Sequence, residues 1–446
     1  MSAAPTLPPK TTIAPGQESR AKAWGFTGLL VALYIVNWGD KAVLGLAAQP
    51  LKEELGLTAS QIGLVGSAFF LTFTIGGFFA GTLNKFMALR WSLAFLVVGW
   101  SVAMLPLIFS ATFIVLLLSR MLLGLLEGPS SALIHTGAYS WHPREKRGLP
   151  SACLTAAASI AKIIIAPALA LLMATQGWRA AFLVLAGIGI VWLLVWLPTW
   201  KLGPYGEDKS SLKAKAAAAA AADSAPEIQE PVPSWGKIFT TWTFMGGALA
   251  VMSMYALVSV VLTWLPSYFE TGLGYGRVEA GAMFGFPSIA SLVVMFTIAP
   301  FTDRMLARGA TSRLGRGIMP AIGLLACGIS MAVLPLIGTP AIAVAVVSIG
   351  YALGAAVFPL FNSAISEIVP ARLTAGTLGI FLAIMSVGGL IAPYLTGVIV
   401  DGAATPAEGY AQAFQVFGIF AIIGGAAALL GVNPERDRAK LLAAAR

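Results

Sequence analysis

Cysteine and histidine are nearly absent, with two of each in 446 residues, and charged residues make up only 11% of the chain. Cys153 and Cys327 lie in apolar stretches without metal-ligand spacing, so neither a disulfide framework nor a zinc site is indicated and both read as buried thiols. No HExxH, GxSxG or P-loop pattern occurs at usable spacing, and the polar segments are too short for a soluble catalytic or signalling domain. An enzyme or a receptor is therefore a poor reading, and no metal, no cofactor and no nucleic-acid partner is expected. The first residues also lack the basic start, short apolar run and cleavage site of a secretory leader. What abounds instead is apolarity: 58% hydrophobic residues and a mean hydropathy of +0.85 describe a chain whose solvent is lipid.

Apolar segments long enough to cross a bilayer begin near residues 24, 61, 91, 112, 149 and 178, and again near 242, 279, 317, 340, 373 and 408. The fold class expected is all-α, with twelve transmembrane helices in two six-helix bundles, 24–199 and 242–431. Residues 1–23 are polar and rich in Pro, Thr and Ala, a disordered tail, and 432–446 read as a second tail. Between the bundles, 200–241 carries a charged run, an alanine run and closing prolines that cannot bury a core, so it is a linker. The +9 net charge matters through its placement. Of the 28 Lys and Arg, Lys41, Arg120 and Lys162 lie inside spans and Lys52, Arg179 and Arg277 in loops opposite the termini, leaving 22 on the termini side. That bias predicts cytoplasmic termini in a plasma (inner) membrane.

The ionisable residues inside spans carry the chemistry. A charge at bilayer depth costs about 2.5–3.5 kcal/mol on insertion scales, so it faces a protein interior or a watery cavity. Arg120 and Glu127 in RMLLGLLE share a helix face but stand about 10 Å apart along the axis, and each needs another partner. In span 1, Tyr34, Asn37 and Lys41 recur on one face with Asp40 beside them. Counting rise from the span starts puts Lys41 in the outer half of the membrane, Arg120 near the middle and Glu127 nearer the cytoplasm. Lys162 either joins this group or snorkels along a lipid face. His135 reads as a structural hydrogen-bonding residue. The second half is poor in charge and offers aromatic and small polar groups, with Tyr255, Trp264 and Asn362 as candidate cavity residues. Crowded glycines such as those in GSAFFLTFTIGGFFAG read as close helix packing.

Two six-span halves around a basic central loop resemble the major facilitator superfamily, whose pseudo-symmetric halves hold the site at the midplane between them. The loop GTLNKFMALR after span 2 is similar to that family's gate motif, with Asn84 where the motif has Asp, and with Lys85 and Arg90 kept. The matching loop TDRMLARGATSRLGR keeps Asp303, Arg304 and Arg308. Within the superfamily, RMLLGLLEGPSSALIH, GWRAAF and TWLPSYF resemble the anion:cation symporters of organic anions. The resemblance implies that the position of Lys41 binds substrate, that Arg120 is a charge partner and that Asp40 and Glu127 carry coupled protons. Lys41 stands where that branch usually has Arg, keeping the charge and losing the planar fork.

The function expected is proton-coupled uptake of a small organic carboxylate by alternating access, with the organic anion, protons and the lipid bilayer as partners and a monomer as the working unit. Tyr34, Asn37, Lys41, Arg120, Tyr255, Trp264 and Asn362 would bind substrate. The missing charge in the second half favours a carboxylate with an apolar body. A drug or metabolite exporter is the alternative, weakened because KIIIA rather than a glycine-rich motif precedes Pro167. Organic-phosphate exchange is a third reading.

Overall fold

The computed structural model describes residues 20–143, 146–206 and 233–443. The disordered tail expected over 1–23 and the linker expected over 200–241 therefore lie largely outside the described residues. Twelve helical spans are long and apolar enough to cross a membrane, and no strand occurs among the described residues. In chain order, span 1 is Arg20–Leu55, span 2 Ala59–Phe78, span 3 Leu89–Phe109, span 4 Phe113–Tyr139, span 5 Gly148–Gln176 and span 6 Trp178–Thr199. Span 7 is Trp242–Gly272, span 8 Arg277–Ile298, span 9 Arg313–Leu336, span 10 Pro340–Ile368, span 11 Gly376–Gly402 and span 12 Pro406–Gly431. An even number of spans brings the start of span 1 and the end of span 12 to the same side, called the termini side below.

Threonine hydroxyls start several of these helices. Thr58, Thr112, Thr241 and Thr405 each accept a backbone N–H of the first turn, and Gln61 returns the bond to Thr58. Such caps satisfy donors that have no partner within the helix. Prolines set the breaks. Span 4 is interrupted after Glu127 by Gly128 and Pro129 and resumes at Ser130, and span 5 opens into a π-helical turn over Ala161–Ile165 ahead of Pro167. A proline withholds one N–H and crowds the carbonyl four residues earlier, so the preceding turn must change.

The halves meet along spans 2 and 11, 1 and 7, and 5 and 8. At the end away from the termini they are tied by polar bonds. Arg277 bridges Glu53 of span 1 at 3.0 Å and Glu270 at 2.9 Å, and the Asp401 carboxylate accepts the N–H groups of Ala59 and Ser60 at 2.8 and 2.7 Å. Gly63 fits there because a Cβ would stand 2.3 Å from the Pro393 carbonyl oxygen. On the termini side, by contrast, Arg316 pairs with Glu367 at 2.7 Å inside the second half. The segment expected to be a tail after span 12 is instead a helix, Pro434–Ala443, docked on the second half by Asp437. Its charged sequence shows no apolar face to a hydropathy reading, yet Leu441 is buried and Asp437 bonds Thr243.

Candidate functional site

Span 4 approaches span 2 so closely that a Cβ on Gly124 or Gly128 would meet backbone oxygens of Phe69 or Phe73 at 2.4 and 2.3 Å. This contact carries Glu127, the last residue before the break, to Lys41 on span 1. Lys41 Nζ lies 2.9 Å from Glu127 Oε2, donates to the Asn37 carbonyl at 3.3 Å, and also donates to Asn37 Oδ1. All three ammonium protons are thus engaged. The ring faces of Phe73 and Trp38 lie 5.0 and 5.2 Å from the same nitrogen, within cation–π range. Arg120 Nη1 donates to the Asp40 carbonyl at 2.9 Å, and its guanidinium sits 5.5 Å from the Phe182 ring. Each charge in span 4 finds its partner on span 1, as their separation along the helix required.

The heights differ from those counted on the sequence. Lys41 lies just past the midpoint of span 1, Arg20–Leu55, in the half away from the termini as counted, but its ammonium meets Glu127 near the middle of span 4 at 2.9 Å, so the two groups stand level rather than staggered. The count began from an apolar boundary, whereas the helix extends beyond it at both ends.

Burial leaves several groups of this cluster unsatisfied. Asn37, Asp40 and Glu127 are 0% exposed and Arg120 1%. Neither Asp40 oxygen, nor Glu127 Oε1, nor Nε and Nη2 of Arg120 has a hydrogen-bond partner. The Asp40 and Glu127 carboxyls are close enough to repel each other when both are ionised. Two ionised carboxylates can only accept, so a proton placed between them gives one a donor and the other a partner. A proton, an ion or a ligand can satisfy buried polar groups left open in this way.

A narrow gap of about 10 Å³, room for about one water, lies between the halves at this level, lined by Lys41, Arg120, Phe69 and Phe70 on one side and Leu262 and Thr263 on the other. A larger depression of about 300 Å³, lined by Tyr268, Leu334 and Glu408, holds none of the candidate residues and is an open surface feature of the second half. Tyr34 donates to Ser131 Oγ at 3.0 Å and packs edge-on against His135. Tyr255 crosses from the second half to face Phe70, ring centres 6.0 Å apart, with Phe358 behind it. Asn362 is half-buried, and its Oδ1 has no partner.

Trp264 is placed differently from the rest. Its indole is 0% exposed, donates to the Pro393 carbonyl at 2.9 Å and packs on Tyr410, which is a helix-packing position. Of the gate loops, Arg90 caps the end of span 6 through the Leu197 carbonyl at 2.6 Å, and Arg304 and Arg308 are exposed, so none joins the central cluster. The side chains of Asn84, Lys85 and Asp303 lie outside the described residues. Ser131, Phe70, Tyr351 and the Asp401 contact escaped the sequence reading, because each is defined by a partner on a distant span and leaves no spacing signal.

The model of the Major Facilitator Superfamily matches residues 30–393. The hexuronate transporter of Bacillus subtilis is 24% identical over 409 residues, covering 90% of this chain and 92% of that protein. A probable sulfoacetate transporter of Cupriavidus necator is 25% identical over 424 residues, covering 91% and 93%. Among solved structures, a bacterial homologue of the human lysosomal transporter Spinster superposes with a TM-score of 0.75 at 17% identity, covering 95% of this chain and 99% of that one. A D-xylose–proton symporter gives 0.73 at 16% identity, covering 93% and 99%. Family and relatives alike are transporters, so this multi-pass membrane protein is a transporter and not an enzyme. With two six-span halves, a charged cluster at their midplane and a family match across most of its length, the chain belongs to the Major Facilitator Superfamily.

Proposed function

We propose that the protein takes up small organic carboxylates together with protons, by alternating access, as a monomer with both termini in the cytoplasm. The observation that carries this reading is the buried Lys41–Glu127 pair with the Asp40 carboxyl beside it. While Glu127 is ionised it occupies the ammonium of Lys41. A proton entering the carboxyl pair removes that competition, and Lys41 then has a charge to offer a substrate carboxylate. Binding of proton and anion is thereby linked without any change in the net charge of the cluster. Arg120 holds the Asp40 backbone and keeps two nitrogens, Nε and Nη2, for the anion or for Asp40 itself.

Tyr34, on the Lys41 face of span 1, and Tyr255, which reaches Phe70 from the second half, supply rings and phenols that can hold the body of the acid. The names of the hexuronate and D-galactonate transporters to which this chain is similar support an organic anion, and they favour hydroxylated acids over the apolar body expected from the sequence. The polar ties at the end away from the termini suit a state open towards the cytoplasm under this orientation.

The test is ligand-induced thermal stabilisation of the purified protein by a panel of aliphatic, aromatic and sugar carboxylates, since a ligand that binds the native state raises its stability. At least one acid should stabilise the wild type, and Lys41→Ala should abolish that shift while keeping a cooperative melting transition. A panel without effect, or an unchanged response in Lys41→Ala, would overturn the assignment.

A further inference from the structure

Lys162 is the cation that the pairing of charges leaves over. Glu127 compensates Lys41, and Asp40 is the remaining acid in the membrane part of the first half, beside Arg120. Lys162 is 7% exposed and has neither a hydrogen bond nor an ion pair among the described residues. It does not snorkel to lipid. Its ammonium stands 5.7 Å from the ring centre of Tyr351 on span 10 of the other half, and it is not among the atoms sealed from accessible space. Span 8 closes over the same turn, where a Cβ on Gly285 would come within 3.0 Å of the Lys162 carbonyl. The Tyr351 side chain is also buried, and its hydroxyl has no hydrogen-bond partner among the described residues.

The backbone is built for this placement. Pro167 cannot bond the Ile163 carbonyl and crowds it, and the resulting π-helical turn over Ala161–Ile165 widens span 5 at Lys162. Such turns are frequent at functional sites. An uncompensated ammonium at bilayer depth is costly to keep, and an anion brought to it removes the cost.

We infer that Lys162, with the Tyr351 hydroxyl opposite, is a second anion-binding point, so that the site prefers dianions carrying an acid group at each end over monocarboxylates. One carboxylate takes the Lys41 ammonium once Glu127 is protonated. The other lies between Lys162 of the first half and Tyr351 of the second, where it draws the halves together. This rests on the carboxylate reading above and adds the class of substrate.

The probes are acids matched in chain length, succinate against butyrate and glutarate against valerate, with apparent dissociation constants taken from thermal stabilisation at neutral pH. The wild type should bind each dianion about tenfold or more tighter than its partner, the effect of one added charge-assisted hydrogen bond. Lys162→Gln should bring that ratio close to one and leave monocarboxylate binding unchanged, Lys162→Arg should keep the preference, and Tyr351→Phe should reduce it severalfold. Equal binding of the two classes by the wild type, a preference that survives Lys162→Gln, or a loss of both classes in that variant would overturn the inference and spare the parent reading. A wild type that responds to no carboxylate would overturn both.

Discussion

Lys41 and Glu127 form a buried ion pair, and the energetics of such pairs are asymmetric. Removing one partner leaves a buried charge uncompensated and costs about 3–5 kcal/mol, whereas replacing both with apolar groups of similar volume is close to neutral. In the absence of ligand, Lys41→Met and Glu127→Leu should each lower stability by about 3 kcal/mol, and the double variant should lose less than either. Denaturant titration in detergent measures this, and additive losses would mean that the two side chains do not depend on each other. The residues of this pair were legible in the sequence because an ionisable group in an apolar span announces itself. Lys162 announced itself equally, but whether it met lipid or protein depends on spans 8 and 10, which no spacing along span 5 reveals. Trp264 illustrates the opposite error. An aromatic residue in a span reads as a cavity residue until its indole is seen to bond a carbonyl 129 residues away.

The helices themselves were nearly all legible, since a run of about twenty apolar residues has few other fates. Their internal breaks follow from Pro129 and Pro167, and it is these breaks that turn Glu127 and Lys162 towards partners. The helix Pro434–Ala443 was not legible, because a few polar contacts rather than an apolar face hold it. Asp437 is buried there, and its carboxylate accepts the N–H and hydroxyl of Thr243 at 2.8 and 2.7 Å and an N–H of Arg436 at 2.8 Å. Burial alone would push its pKa up. The bonds from Arg436 and Thr243 outweigh that and hold it below the ordinary carboxylate range. A group depressed in the folded state contributes stability above its unfolded pKa and loses it as pH falls through the folded one. Hydrogen-exchange protection of Pro434–Ala443 should therefore persist at neutral pH and fall only below the ordinary carboxylate range. Asp437→Asn should weaken it already at neutral pH, by about 1–3 kcal/mol for a lost charged hydrogen-bond set. Protection unchanged in Asp437→Asn would assign the docking to Leu441 instead.

At the scale of the whole molecule, two six-span halves meet firmly at the end away from the termini, through Arg277 with Glu53 and through Asp401 with the first N–H groups of span 2. The charged cluster lies between that closure and the side on which the chain begins and ends. Under the function proposed above, the closure would open as the opposite side closes, and the carboxyl pair would carry a proton through that exchange. Rehydration changes the balance for a buried acid, because water favours its ionised form while nearby Lys and Arg do so in the dry state. The central claim is that Glu127 is the proton carrier and that its ionised form withholds Lys41 from substrate. Proteoliposomes separate coupling from binding, with the carboxylate that most stabilises the wild type used as the transported probe. The wild type should accumulate that acid when an inward pH gradient is imposed, whereas Glu127→Gln, fixed in the neutral form, should bind it and exchange it across the membrane without accumulating it. Gradient-driven accumulation by Glu127→Gln at the wild-type level would contradict the account.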